Sequence, residues 1–102
     1  MVFKMPVPKH GEEAREYKRV PIACDCWYTT SGKSIPRFFR YEDEAGIRHT
    51  VSDIRLLKSQ KRNMAAIPVM MYDCVAMIEG VNYPIVLYHY TETGKWEAGL
   101  RG

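Results

Sequence analysis

Cys24-Asp25-Cys26 is the first group along the chain whose residue types could carry chemistry. On an extended segment its two thiols share a face. With Cys74 and either His49 or His89 they would supply the donors of a tetrahedral zinc site. The spacing argues against that use, because zinc knuckles put more chain between their cysteines and bend it in a turn so that both sulfurs converge. Cysteine also packs as a small hydrophobe and is among the most buried residue types. The three cysteines are therefore expected to be reduced core residues, with no metal and no cofactor. Cys24 and Cys26 are poorly placed to bridge each other, since residues two apart on a strand lie roughly 6.5–7 Å apart at Cα.

Other catalytic arrangements are weaker. Ser31, Ser34, Ser52 and Ser59 sit in polar surroundings, outside any Gly-x-Ser-x-Gly elbow. His10 falls in the N-terminal arm, while His49 and His89 fall mid-strand, where a histidine usually serves as a cross-strand partner. Glu42, Asp43 and Glu44 cluster in a turn, where acidic residues serve turn geometry and solubility. Ser31-Gly32-Lys33-Ser34 has the ending of a phosphate-binding loop, but Trp27 occupies the position of its leading glycine and no long helix follows. The expectation is a protein that is not an enzyme.

Binding chemistry is better represented. Arg37, Phe38 and Arg40 interleave on one segment and Arg48 lies on its hairpin partner. Lys58, Lys61 and Arg62 follow near Arg55, and Tyr83, Tyr88, Tyr90 and Trp96 add rings. Small β-barrels bind single-stranded nucleic acid with aromatics on a sheet face flanked by cations. The competing use of the same residues is cross-strand packing and the blunting of an exposed edge. Arg37, Phe38, Arg40, Arg48, Lys58 and Tyr88 are the candidate binding residues, the rings to stack and the cations to contact phosphate or carboxylate.

These residues need a scaffold. The chain has 102 residues, 46% hydrophobic and 26% charged, with a net charge of +3. That composition excludes disorder, collagen and a disulfide-dense miniprotein, and the charge alone implies no polyanion partner. No apolar stretch reaches the length of a membrane span, and the N-terminus lacks the apolar region and cleavage site of a secretory signal, so a cytoplasmic location is expected.

Residues 1–9, with Pro6 and Pro8 and no consistent period, form an arm, and residues 11–19 suit a short helix with an acidic first turn or a tail. Residues 20–29 alternate so that Ile22, Cys24, Cys26 and Tyr28 take the core side. Residues 35–42 and 47–54 make a hairpin about the turn at 43–46. Residues 52–57 either extend that strand or form a helical turn, and residues 58–66 read as a surface loop. Residues 67–79 form a strand with Tyr72, Cys74, Ala76 and Ile78 on one face and Val69, Met71, Val75 and Met77 on the other, both apolar except for Asp73. Residues 83–90 pair back after the turn at 79–82, and residues 95–98 add a last short strand.

Close-spaced strands joined by turns favour an antiparallel meander. The expected fold is mainly β, an SH3-like or OB-like barrel or a strongly curved sheet, with a possible short N-terminal helix. The arm spans 1–19, the barrel domain 20–98 and a tail 99–102. The layout of 20–98 resembles that of short bacterial proteins without an assigned activity, a resemblance that transfers no functional residue. The expected function is a protein-interaction or assembly module, with a protein partner or a homodimer; the second apolar face of 67–79 is expected to be covered either in that homodimer or by the N-terminal segment. Single-stranded nucleic-acid binding is the alternative.

Overall fold

The computed structural model describes residues 19–100. Seven strands follow one another: β1 (Val20–Tyr28), β2 (Ser34–Glu42), β3 (Arg48–Val51), β4 (Ile54–Met64), β5 (Ile67–Ile78), β6 (Val81–Tyr90) and β7 (Lys95–Leu100). They form one antiparallel sheet in the order β3-β2-β1-β7-β6-β5-β4. The sheet curls into a half-barrel, so the mainly β, strongly curved reading holds and a fully closed barrel does not. The expected N-terminal helix and arm lie outside the described residues.

Alternation sets the concave face. Phe39 and Tyr41 from β2, Val51 from β3, Tyr72, Cys74 and Ala76 from β5, Ile85 and Leu87 from β6, and Ala98 and Leu100 from β7 are buried in one cluster. Registry explains the grouping. Cys24 lies opposite Phe39, Phe39 opposite Val51, Tyr72 opposite Leu87, and Leu87 opposite Ala98. Residues facing one another across antiparallel strands point to the same side. A hydrogen bond of 2.6 Å between the Ser34 and Tyr72 hydroxyls spans the concavity from β2 to β5.

The turns follow their residue chemistry. At 43–47 the Asp43 side chain accepts backbone N–H bonds from Ala45 and Ile47, both at 2.9 Å. Gly46 adopts φ 81°, a left-handed conformation that glycine reaches without steric cost. His49 completes the arrangement, with Nε2 at 2.8 Å from Asp43 Oδ2 and its ring stacked on Tyr41. These contacts, the His49 hydrogen bond first, hold the Asp43 carboxyl below the usual carboxylate range. A depressed folded value means stabilisation that is present above the unfolded carboxylate range and lost as pH falls through the folded value. Acid titration of unfolding is expected to show this loss in the native protein and a flatter acid limb in Asp43→Asn; identical limbs would refute the linkage.

Four expectations change. Residues 58–66 are no loop: β4 runs through Met64 and turns on Ala65-Ala66. Its polar sequence is that of an edge strand, which needs a neighbour on one side only. Tyr28, expected in the core, is 64% exposed because it lies near the end of the β1–β2 hairpin, and Cys26 is only half-buried. Residues 99 and 100, expected in a tail, continue β7, where Leu100 joins the core opposite Ile85. Residues 52–57 neither extend β3 nor form a helical turn, because β3 ends at Val51 and β4 begins at Ile54.

Candidate binding surface

The convex face of β1, β2 and β3 gathers four of the six candidate residues. Asp25 on β1 lies opposite Phe38 on β2, and the register slips between Asp25 and Cys26, leaving Arg37 bulged. Bulges re-aim side chains. Here the Arg37 guanidinium is 3.8 Å from the Asp25 carboxylate and 6.0 Å from the centre of the Trp27 ring. Trp27 is 61% exposed. Arg40 lies opposite Ala23 on one side and Thr50 on the other. Arg48, opposite Glu42, pairs with it at 3.7 Å. Arg40 and Arg48 border a groove of about 440 Å³ with Pro21, Ala23 and Glu42. Arg40 has no ion pair among the described residues.

Lys58 and Tyr88 lie elsewhere. Lys58 sits on β4, at the other edge of the sheet, 3.8 Å from Asp73. Tyr88 lies on β6, with the Arg19 guanidinium 3.9 Å over its ring. Arg19 also donates to the Tyr90 hydroxyl at 2.8 Å, and that hydroxyl donates to Glu97 at 2.6 Å. The Tyr88 ring is thus engaged by a cation of its own chain. Around it, on the convex side of β5 and β6, Val69 and Val86 are buried, Met71 and Val75 half-buried and Met77 exposed.

Sequence reasoning missed a second aromatic arrangement. On the concave side Trp96 stacks on His89 at 4.2 Å between centroids and 6° between planes, and on Tyr72 at 5.6 Å and 21°. His89 lies directly opposite Trp96, but Tyr72 reaches it only diagonally through the β5–β6–β7 order. Burial holds the His89 imidazole below its ordinary pKa, which favours the neutral ring. Between the start of β1 and the start of β7 a cleft of about 630 Å³ opens, bordered by Ile22, Cys24, Gly94, Lys95 and Trp96.

The cysteines behave as hydrophobes. Burial, followed by the proximity of Cys26, Cys74 and Asp25, pushes the Cys24 thiol up to about 12. Burial raises Cys26 as well, and Cys74 is fully buried. No group of three or more His, Cys, Asp or Glu side chains able to hold a metal occurs among the described residues. A protonated thiol is a poor nucleophile. Ellman's reagent at pH 8 is expected to react slowly with the native protein and rapidly, at all three thiols, after denaturation; rapid native labelling of Cys24 would contradict its placement.

No family model, curated protein or solved structure matches the chain. No helix among the described residues is long and apolar enough to cross a membrane.

Proposed function

We propose that the protein is a non-enzymatic protein-interaction module and that its contact surface is the convex face of β1, β2 and β3. The observation that supports this reading most is Trp27, mostly exposed, beside an arginine-bearing bulge and on the same face as Phe38 and Arg40. Tryptophan and arginine are enriched among the residues that dominate interface energies, because each combines a large apolar area with a polar handle. Charge decides between partners. Asp25 offsets Arg37 and Glu42 offsets Arg48, so the surface has little excess positive field for a polyanion, while a protein surface can match its mixed charges.

Single-stranded nucleic acid is the second reading, favoured by the exposed Trp27 ring and by Arg40, which lacks an ion pair among the described residues. Two measurements separate the readings. Affinity capture with native protein and with Trp27→Ala/Arg40→Glu, after nuclease treatment, should recover a partner with the first and lose it with the second. Retention of single-stranded oligonucleotides in low-salt filter binding at roughly tens of micromolar protein, the range of weak non-specific binding, would favour nucleic acid instead. A partner captured equally by both proteins would remove this surface from consideration.

A further inference from the structure

We propose that the outer edge of β4, which carries no further strand among the described residues, accepts an extended acidic peptide as an additional antiparallel or parallel strand. β4 ends the sheet, with β5 as its neighbour in the hydrogen-bonded order. It is eleven residues long, far longer than β3 at the opposite edge, and residues 57–59 and 61–63 are exposed.

The direction of its backbone groups follows from the register. Antiparallel partners alternate between pairs that exchange hydrogen bonds and pairs that do not. The Met77 N–H donates to the Asp53 carbonyl at 2.8 Å, which fixes that alternation at the start of β4. At its end, Met64 and Ile67 close a two-residue turn and form a hydrogen-bonded pair. The register shift between Leu56 and Lys58 reconciles the two ends by one bulged residue, Leu57. Lys58, Gln60 and Arg62 therefore direct their N–H and C=O groups at β5, while Ser59, Lys61 and Asn63 direct theirs outward. The outward row alternates donors and acceptors along the chain.

Charge selects the occupant. β4 contains Arg55, Lys58, Lys61 and Arg62 and no carboxylate. Lys58 has Asp73 at 3.8 Å, whereas Arg55, Lys61 and Arg62 have no ion pair among the described residues. A second copy of β4 would set cations against cations, which destabilises paired strands and is how edges resist self-association. A nucleic-acid backbone offers phosphate acceptors but no N–H donors for the outward carbonyls, and β4 carries no aromatic ring for a base. A peptide strand with alternating carboxylates supplies both the backbone complement and the opposite charge. The exposed Leu57 side chain at the bulge adds an apolar contact for its intervening residues. This surface is separate from the convex face of β1, β2 and β3, so the two proposals stand or fall independently.

The probe is an acetylated, fluorescein-labelled peptide of about ten residues alternating Glu and Val, a typical strand length. Its binding is followed by fluorescence anisotropy against a Lys-Val peptide and an oligothymidylate of similar length. The Glu-Val peptide should bind native protein and the Lys-Val peptide should not. Ser59→Pro removes one outward N–H without touching the β5 ladder, a position where an edge strand tolerates proline, and should weaken binding by about tenfold or more, which corresponds to ~1.4 kcal/mol. Ser59→Ala keeps the N–H and should bind as native. Lys61→Glu/Arg62→Glu should reverse the preference toward Lys-Val, a readout that does not depend on the proline variant folding. Absence of Glu-Val binding, equal binding by folded Ser59→Pro, retention of the Glu-Val preference after charge reversal, or tighter binding of oligothymidylate would each overturn the proposal.

Discussion

Phe39→Ala is expected to lower the free energy of unfolding by about 3–5 kcal/mol, the range for deleting a buried phenyl ring. Phe39 is fully buried on β2, opposite Cys24 and Val51, with the Tyr41 ring centred 6.3 Å away. It belongs to the cluster through which β2 meets the concave side of β5 and β6, so few neighbours could collapse into the space it leaves. Domains of this size are commonly stable by only about 5–15 kcal/mol, so the variant should unfold at far lower urea concentration with an unchanged slope. The adjacent Phe38 points to the convex side and is half-buried opposite Asp25. Phe38→Ala should cost less than about 1 kcal/mol, as surface changes usually do. Equal losses at the two positions would show that the assignment of faces on β2 is wrong.

The second large effect has the opposite sign. Ala65 and Ala66, which join β4 to β5, have φ values of 51° and 67°. The next hairpin uses the same two-residue turn with Glu79 at 50° and Gly80 at 79°. A left-handed conformation brings Cβ against the following carbonyl at roughly 1–2 kcal/mol per residue, and asparagine and glycine escape most of that cost. Ala65→Asn/Ala66→Gly should therefore stabilise the protein by about 1–2 kcal/mol, or roughly 4–8 °C in Tm per kcal/mol for a domain near this size. An unchanged or lower Tm would mean that this turn stores no strain to relieve.

The same turn shows why part of the fold was legible and part was not. The hairpin of β2 and β3 announced itself through Asp43 and Gly46, and that of β5 and β6 through Glu79-Gly80, because those residues carry the turn chemistry themselves. Ala65-Ala66 carries none, and Lys58, Lys61, Arg62 and Asn63 hide β4 because an edge strand can be polar on both sides. Tyr28 shares the parity of the core residues on β1, but parity says nothing about where the core stops along a strand.

The binding residues divide in the same way. Arg37, Phe38, Arg40 and Arg48 belong to one local hairpin, whose alternation placed them together. Lys58 and Tyr88 could be joined to them only through the order of strands in the sheet, which hydrophobic period leaves open. The Tyr72–Trp96–His89 stack and the approach of Cys74 to Cys24 depend on that order too.

That order has a consequence for folding. β1 and β7 are neighbours at the centre of the sheet, although they are the first and last strands among the described residues, and they pair only through Val20, Pro21 and Ile22 with Ala98, Glu97 and Trp96. In the hydrogen-bonded order the two hairpin systems, β1 to β3 and β4 to β6, are therefore joined only through β7. Until β7 docks, the concave apolar side has no continuous floor, and any folding intermediate that lacks it exposes apolar surface open to misassembly.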